Sequence, residues 1–455
     1  MPTGVKISKG LQDWQIIQQG DGYSQIKLSG IWALSDAASE ILAIHVRVVV
    51  EDTGSILIPW TQCENYGKNR WKVTLRNIPA GGLYRIETSL DHSKASGIRG
   101  DMVHHIGVGD LFVIAGQSNA AGYGRDPVMD PPEIGVHAFK SSGKWDLASH
   151  PLSDSTGSKP VAKKEMGIPG HSPYLCFARI LKRELGYPIG LIQTALGGSA
   201  LSSWNPGEDG YLYKNMLERV KAAGNEIKAM LWYQGCADAA EGVCDTYLER
   251  FENMVSHLRS TLVNKELPVM TVQINRYVVP ASDANNRGWG KLRDVQRRAA
   301  KLVPKVFVIP ANDCTLSDAI HNAAASNLKL GERLANSALA NIYGRKYVSE
   351  APDISKAVKL EDNQIQLLFD NVKGKIYTFE VGAEKLPFTV VDEKGQLEIT
   401  GYEINSNNGI LLTMNREAGG SCVIHGVWQQ NPGFFIPIDD YSHIPVLSFY
   451  GVEVE

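Results

Sequence analysis

The sequence predicts an α/β fold: a three-layer domain built on a doubly wound, parallel five-stranded sheet, flanked by β-rich regions on both sides. Two patterns and the chain length predict it. Between Leu111 and Gly344, short continuous apolar runs alternate with segments of helical periodicity. Outside this stretch the apolar residues follow strand-like patterns instead. At 455 residues the chain exceeds what one hydrophobic core normally organises, so several domains are expected.

The N-terminal part of the chain has the composition of β-strands. Ile41–Val50 is rich in β-branched residues, and Trp71–Leu75 alternates apolar with polar side chains. A turn at Pro79–Gly82 then precedes another strand-like segment, Leu83–Leu90. We expect a β-sandwich-like domain over residues 1–107.

The middle of the chain, residues 108–347, has the rhythm of a catalytic α/β domain. Continuous apolar runs suit parallel strands that are buried on both faces. Five such runs are present: Leu111–Ala115, Ile189–Thr194, Ala229–Tyr233, Val269–Ile274 and Val306–Pro310. Four helices are indicated by apolar residues at helical spacing, within Tyr174–Leu185, Tyr247–Leu258, Leu292–Leu302 and Leu328–Ile342.

The helical period disappears after Gly344. Strand-like segments separated by Asn, Gly and Asp turns follow at Gln364–Phe369, Gly409–Met414 and Val446–Tyr450. We expect a C-terminal β-rich domain over residues 348–455.

Composition excludes several classes of function. The net charge is only -3 and no long basic run is present, so no nucleic-acid partner is expected. The six cysteines show neither CxxC pairs nor metal-ligand spacing with histidine, so neither a metal site nor a disulfide scaffold is expected, although one disulfide stays open.

Nothing in the sequence indicates a membrane protein. No window approaches the ~20 consecutive apolar residues of a membrane span, and Met1–Gly20 lacks the apolar stretch of a signal peptide. The chain as written is expected to be cytoplasmic. A chain from which a leader had been removed would look the same, so a periplasmic or secreted location stays open.

Chemistry is expected at the carboxyl ends of the strands, where open α/β sheets bind ligands. Ser118 follows the first run, directly after Gly116-Gln117, and is a candidate nucleophile. The structural alternative is that this serine caps the N-terminus of a helix. The second run ends near Gly198, whose N–H is a candidate donor to an oxyanion. The third ends at Gln234, whose side-chain amide is another.

The fifth run is followed by Asp318-Ala-Ile-His321. An aspartate three residues before a histidine can hold the imidazole in one tautomer, so that the other ring nitrogen faces the serine. Alone, this pair is better explained by a helix start and a surface histidine. The order of the candidates along the strands makes the catalytic interpretation stronger than any one of them.

The chain resembles the SGNH (GDSL-like) hydrolase superfamily, and within it the sialate O-acetylesterase and acetylxylan esterase group. The match spans about Leu111 to Gly344, and the upstream strands look like the β-domain that often precedes the catalytic domain in sialate O-acetylesterases. The motifs that carry the resemblance are Val113–Ala120 (VIAGQSNA), Gly190–Trp204 (GLIQTALGGSALSSW), Leu231–Gly235 (LWYQG) and Asp318–His321 (DAIH).

The resemblance implies a flavodoxin-like fold and a serine-esterase mechanism without a cofactor. Ser118 would be the nucleophile, His321 the general base and Asp318 its orienting partner. The oxyanion hole would comprise the Ser118 N–H, the Gly198 N–H and the Gln234 amide. The chain departs from the family pattern after Gln234-Gly235, where Cys236 stands in place of the usual glutamate and Asp238 is the next carboxylate.

The resemblance implies an acetylated carbohydrate as the substrate, with sialic acid as the first candidate. Aromatic and polar residues beside the motifs are expected to contact the sugar: Gln117, Asn119, Tyr123, Arg125 and Trp204. Core packing is the alternative for Trp204. Arg125 is a candidate for binding a sugar carboxylate.

Three alternatives stay open at this level. The alternatives are an esterase that acts on acetylated xylan or another ester, a lipase-like hydrolase, and a catalytically weakened carbohydrate-binding protein on an esterase scaffold. The last is suggested by Cys236. The oligomeric state is left undetermined.

Overall fold

The computed structural model describes residues 3–35, 39–154, 167–361 and 363–455. The strands before the first helix are β1 Gly4–Lys9, β2 Ile16–Gln18, β3 Tyr23–Ala33, β4 Ile41–Val50, β5 Ile56–Gln62, β6 Glu64–Tyr66, β7 Arg70–Pro79, β8 Gly81–His92 and β9 Ala95–Gly116. The middle of the chain continues with α1 Ser118–Ala121, β10 Val136–Phe139, β11 Trp145–Leu147, α2 Tyr174–Leu185, β12 Ile189–Gln193, α3 Tyr211–Ala223, β13 Ala229–Tyr233, α4 Tyr247–Thr261, β14 Val269–Gln273, α5 Asp283–Leu302, β15 Val306–Pro310 and α6 Ala324–Asn341. The C-terminal strands are β16 Asp353–Lys359, β17 Gln364–Asp370, β18 Ile376–Tyr377, β19 Phe388–Asp392, β20 Gly395–Leu397, β21 Ile399–Ser406, β22 Gly409–Met414, β23 Cys422–Gly426, β24 Ile438–Asp439 and β25 Phe449–Glu453.

The central sheet contains all five predicted strands, and they are parallel. Their spatial order is β12-β9-β13-β14-β15. The second of the five predicted strands, β12, therefore lies on the outer side of the first, β9. Strands β12, β13 and β14 are fully buried, as expected for strands covered by helices on both faces. The carboxyl ends of β9, β12 and β13 therefore meet at one edge of the sheet.

The five-stranded layout is not confirmed, because the sheet is larger and mixed. Strand β10 adds a parallel neighbour to β12, and β11 pairs antiparallel with β10. The sequence analysis also missed α3, although Leu212, Met216 and Val220 are buried at helical spacing. Strands as short as β10 and β11 carry too few residues for a period to be recognised.

The N-terminal strands are continuous with the central sheet through β9. This 22-residue strand pairs antiparallel with β8 in its first part and parallel with β12 and β13 in its last part. The expected boundary at residues 107 and 108 thus lies inside one strand. Buried apolar residues form a cluster from Val5 to Val108, a second mostly from Leu111 to Leu339 and a third from Ile354 to Phe449. The three-domain division stays a prediction.

The C-terminal region consists of small antiparallel sheets. One has the order β16-β17-β22-β21, another β20-β19-β23-β25, and β18 pairs with β24. The predicted strands within β17 and at β22 are confirmed. The segment Val446–Tyr450 was only partly right, because the strand begins at Phe449.

A buried arginine joins this region to the catalytic edge. Arg293 of α5 is fully buried, and its guanidinium donates to Ile274 O and Asn275 O, which follow β14. It also donates to the carbonyls of residues 427–430, at distances of 2.6 to 3.4 Å. Burial lowers the pKa of Arg293 to about 10, so the side chain stays charged at neutral pH. The loop after β14 and the C-terminal loop are therefore held against each other.

Two findings bear on localisation and redox state. All six cysteines are free thiols. Among the described residues, none of the helices combines the length and apolarity that a bilayer crossing requires.

Replacing Arg293 with methionine should destabilise the protein. The variant leaves several buried carbonyl oxygens without donors, which should lower the free energy of unfolding by about 3 kcal/mol or more. Arg298→Met on the same helix is the control, because that half-exposed residue makes a single ion pair with Asp294. Urea unfolding followed by tryptophan fluorescence measures both, and equal losses would contradict the assigned role of Arg293.

Candidate active site

Ser118 lies at a tight turn between β9 and α1. Gly116 has a φ of 127°, and a Cβ there would lie 2.2 Å from the Tyr233 carbonyl oxygen, so only glycine fits. Ser118 is the first residue of α1, whereas Gln117 occupies the N-cap without a side-chain capping bond. The serine is therefore not the helix cap that the structural alternative suggested.

The Gln117 side chain braces a neighbouring loop. Its Oε1 accepts hydrogen bonds from the backbone N–H of Gly235 at 2.9 Å and of Ala237 at 3.4 Å. Gln117 thus connects the end of β9 to the end of β13, and it also lines the candidate active-site cavity.

Asp318 and His321 are paired as predicted. Asp318 Oδ2 lies 2.7 Å from His321 Nδ1, and Asp318 Oδ1 accepts from the backbone N–H groups of Ile320 and His321 at 2.9 Å. Partial burial raises the pKa of Asp318, but the hydrogen bonds from His321 and from these N–H groups outweigh it and hold the pKa below its usual value. The carboxylate is ionised at neutral pH and fixes the orientation of the imidazole.

The loop that carries His321 is bound directly to the helix that carries Ser118. Asn119 Nδ2 donates to Ile320 O at 3.2 Å, and the backbone N–H of Asn322 donates to Asn119 Oδ1 at 3.0 Å. From the end of β14, Asn275 Nδ2 donates to Ile320 O and to Asn322 Oδ1, both at 2.7 Å. Asn119 was predicted to bind substrate; its side chain instead joins the two halves of the site.

Asp126 is a second brace of this loop, and the sequence analysis missed it. Its Oδ1 accepts from Ser317 Oγ at 2.5 Å and from the backbone N–H of Ala324 at 3.0 Å. Ser317 Oγ in turn accepts from the N–H of Arg125 at 3.0 Å. The sequence signal for this role of Asp126 was an acidic residue shortly after the serine motif. Its hydrogen-bond partners lie nearly 200 residues away in the sequence.

Ser118 and His321, the predicted nucleophile and base, line one cavity of about 360 Å³. Its walls are formed by Gln117, Ser118, Tyr123, Gly197, Gly198, Cys236, Ala237, Ile320 and His321. The sheet edge has therefore brought together the candidate nucleophile, the candidate base and the Gly198 backbone from distant parts of the chain.

Tyr123 forms one wall and stacks against the base. Its ring lies 4.7 Å from the His321 ring, centroid to centroid, with an interplanar angle of 23°. Tyr123 is 6% exposed. The prediction that it contacts the sugar stays a prediction, and the contact with His321 is a role that the sequence did not suggest.

The assignment of Gln234 to the oxyanion hole needs correction. Gln234 is fully buried behind the cavity wall, and its Nε2 already donates to Ser199 O at 3.2 Å and to Asp238 Oδ2 at 2.5 Å. Both amide hydrogens are therefore used within the protein. The remaining candidate oxyanion donors are the N–H groups of Ser118 and Gly198.

Asp238 supplies the carboxylate that the third motif lacks. It is buried, and besides Gln234 it accepts from the backbone N–H of Leu201 at 2.8 Å and from Arg250 at 3.3 Å. It thereby fastens the Gly197-Gly198 segment to the end of β13. Cys236 lines the cavity instead, and burial raises its thiol pKa to about 12, which keeps it neutral.

Besides Asn119, two more of the predicted sugar contacts lie outside the cavity lining. Trp204 is fully buried, packs edge-on against Trp232 and donates to Ser199 Oγ at 3.0 Å, so the prediction that it stacks on a sugar is wrong. The ring packs in the core because full burial of its apolar surface lowers the free energy of the folded state more than partial burial does. Arg125 is exposed next to Ser317, and its contact with a sugar carboxylate stays a prediction.

Within the described part of the chain, one group of side chains has the composition of a metal site: Asp130, His150 and His171. Their geometry fits a hydrogen-bonded cluster. Both imidazole Nε2 atoms lie about 3 Å from Asp130 Oδ2, the rings stack at 4.0 Å, and Arg179 holds Asp130 Oδ1 at 2.6 Å.

This cluster supports the cavity from behind. His171 exchanges backbone hydrogen bonds with Gly124, the residue after Tyr123. The cluster therefore helps to hold the segment that places Tyr123 against His321.

Comparison with known proteins agrees with this geometry. The model of the family described as carbohydrate esterase, sialic acid-specific acetylesterase matches residues 108–340, about half of the chain. The chain belongs to this family. Membership places it among the carbohydrate acetylesterases, which are ester hydrolases, and the match covers every residue assigned above to the cavity.

Two relatives extend the comparison. A probable carbohydrate esterase of Arabidopsis thaliana is 28% identical over 255 residues, which cover 51% of this chain and 90% of that protein. The crystal structure of a carbohydrate acetylesterase from Xanthomonas citri aligns over 98% of this chain and 99% of its own, with a TM-score of 0.68 and 21% identity. At this identity the likeness concerns the fold, and it includes both flanking β-rich regions of this carbohydrate esterase.

Asn119→Ala should impair turnover without unfolding the enzyme. The two hydrogen bonds that align the His321 loop with α1 are lost, and a misplacement of about 1 Å can cost ~100-fold in rate. We expect kcat on p-nitrophenyl acetate to fall ten- to a hundredfold. Asn285→Ala, at an exposed position of α5, is the control and should behave as wild type.

Asp238→Asn tests the substitute carboxylate. The amide nitrogen cannot accept from Leu201 N–H or Gln234 Nε2, so we expect a loss of stability of about 1–3 kcal/mol and an about tenfold lower kcat as the Gly198 segment shifts. Asp245→Asn is the matched control, because that carboxylate is exposed and forms an ion pair with Lys291 at 3.0 Å. Unchanged kinetics in Asp238→Asn would exclude a role in shaping the site.

Proposed function

We propose that this carbohydrate esterase releases acetate from an O-acetylated sugar through an acyl-enzyme formed on Ser118. The observation that carries the proposal is the convergence of Ser118, Gly198 and the Asp318-paired His321 on one cavity. A serine hydroxyl alone is a weak nucleophile and needs a base oriented by a third group.

The acylation step follows from this arrangement. His321 takes the proton of Ser118 as the hydroxyl attacks the acetyl carbonyl, while Asp318 stabilises the imidazolium through Nδ1. The N–H groups of Ser118 and Gly198 donate to the oxyanion, and each such donor is worth about 3 kcal/mol in the transition state. Collapse of the tetrahedral intermediate expels the sugar alkoxide, which receives the proton from His321.

Deacylation repeats the sequence with water. His321 activates the water, the second tetrahedral intermediate uses the same donors, and acetate leaves as the proton returns to Ser118. The mainly apolar walls, among them Ala237, Ile320 and the neutral Cys236, suit a methyl group and exclude excess water. The neutral thiol at this position also avoids repulsion between a carboxylate and the oxyanion.

We further propose O-acetylated sialic acid as the sugar. The family description supports it, and Arg125 supplies an exposed cation at the residue whose N–H binds Ser317, close to the His321 loop. Acetate release from acetylated sialic acid, xylose and mannose distinguishes the substrates. Arg125→Ala should lower kcat/KM for the sialic acid alone, and equal effects on all three sugars would contradict the assignment.

Ser118→Ala should abolish esterase activity. Loss of the nucleophile of a catalytic triad lowers kcat by about 10⁴-fold or more, and p-nitrophenyl acetate hydrolysis measures it. Ser421→Ala, at an exposed position of the C-terminal region, is the control. Rapid-quench mass spectrometry of the wild type should find the acetyl group on the peptide containing Ser118.

Two results would contradict the mechanism. Activity retained in Ser118→Ala would exclude the acyl-enzyme on that residue. Absence of activity in the wild type would favour the alternative of a carbohydrate-binding protein on an esterase scaffold.

A further inference from the structure

An exposed strip of aromatic rings lies on the C-terminal region and reaches the catalytic edge. We define the strip as Tyr377, Phe379, Phe434 and Phe435. The exposed fractions of these residues are 36%, 40%, 74% and 40%, which is unusual for neighbouring aromatic side chains. Tyr377 and Phe379 lie 5.1 Å apart and Phe379 and Phe435 6.4 Å apart, centroid to centroid.

The strip begins directly at the catalytic edge. Arg276 follows β14, and its guanidinium lies 4.2 Å from the ring centroid of Phe434. The same guanidinium donates to Gly433 O at 2.9 Å and to Cys314 O at 3.2 Å. Phe434 is therefore seated on the loop that follows β14.

That loop also contacts the loop carrying His321. The backbone N–H of Val278 donates to Ala319 O at 2.8 Å, and Asn275 Nδ2 donates to Ile320 O. On its other side Gln430 Nε2 donates to Tyr277 O and Val279 O. A continuous set of hydrogen bonds thus runs from the cavity rim to the base of the strip.

The segment that carries Phe434 and Phe435 is anchored to α5 through the residues before it. The four carbonyls that Arg293 binds in residues 427–430 immediately precede the segment that carries Phe434 and Phe435. A surface held in this way is organised before a ligand arrives, which reduces the entropy cost of binding.

We propose that this strip binds the glycan chain that carries the acetylated sugar, beyond the residue in the cavity. The open cavity of about 360 Å³ has room for little more than one sugar with its acetyl group, so a longer chain has to lie on the adjacent surface. The C–H face of a pyranose packs well on an exposed aromatic ring, whose edges leave the hydroxyls in water. The inference rests on the proposed function, because a glycan is present only if the cavity holds an acetylated sugar.

The test compares polymeric with small substrates. Wild type and the double variant Phe379→Ser/Phe434→Ser are assayed on acetylated xylan, acetylated mannan and O-acetylated mucin, each beside p-nitrophenyl acetate. We expect the ratio of kcat/KM on the preferred polymer to that on p-nitrophenyl acetate to fall about tenfold, through KM. Tyr441→Ser is the matched control: the ring is 70% exposed in the same region but lies outside the strip, and its ratio should equal that of wild type.

A binding measurement separates this proposal from the proposed function. In affinity electrophoresis through gels containing the same polymers, Ser118→Ala should be retarded like wild type and the double variant should not. If the wild type showed no esterase activity but were still retarded in the gel, the proposed esterase function would be overturned. The strip would then remain a glycan-binding site. The glycan-binding role of the strip would be overturned if the double variant kept the wild-type ratio of kcat/KM values, or if it were retarded as strongly as wild type. A wild-type preference for acetylated monosaccharides over all three polymers would overturn it as well.

Light scattering adds one further outcome. A wild-type dimer that becomes monomeric in the double variant would show that the strip is an interface between two copies of the chain, and would overturn the glycan assignment.

Discussion

The hydrogen bonds of the Asn119 side chain join the two halves of the active site. One half is the turn after β9 that presents Ser118, and the other is the loop that presents His321, about 200 residues later in the chain. Because Asn119 is one residue from the nucleophile, any movement of its amide changes the relation between serine and histidine directly. Asn275 and Asp126 hold the same loop from two other directions. A base held from three sides needs little reorganisation when the proton moves.

In the third motif the buried carboxylate stands at Asp238, two residues after the position where the family usually has a glutamate. Cys236 gives the cavity a neutral, weakly polar wall, whereas Asp238 receives the hydrogen bonds of Leu201 and Gln234 behind it. Gln234 consequently serves as part of the support and not as an oxyanion donor. The proposed oxyanion hole of this carbohydrate esterase thus comprises backbone N–H groups, whose positions depend on Gly116, Gly198 and the braces around them.

The C-terminal region is integrated into the substrate-facing side of the molecule. A buried arginine without a carboxylate partner is costly unless its donors are satisfied, and Arg293 satisfies them with carbonyls from both the β14 loop and residues 427–430. The loop after β14 is therefore shared between the catalytic site and the aromatic strip. This sharing explains how a region outside the family match can contribute to the surface beside the cavity.

Local composition was sufficient to predict the five parallel strands, four of the helices and the pairing of Asp318 with His321, because continuous apolar runs, helical spacing and a three-residue separation are properties of neighbouring residues. It was insufficient for the short strands β10 and β11 and for the extent of β9, whose pairing depends on segments far away in the chain. The roles of Asn119, Asp126, Gln234 and Trp204 were likewise decided only by tertiary structure. Each is a polar or aromatic side chain that the sequence placed beside a motif, and only the fold determined whether it faces the cavity, braces a loop or lies in the core. The free energy of a buried hydrogen bond or ring depends on the partners that the fold supplies, and those partners are distant in sequence.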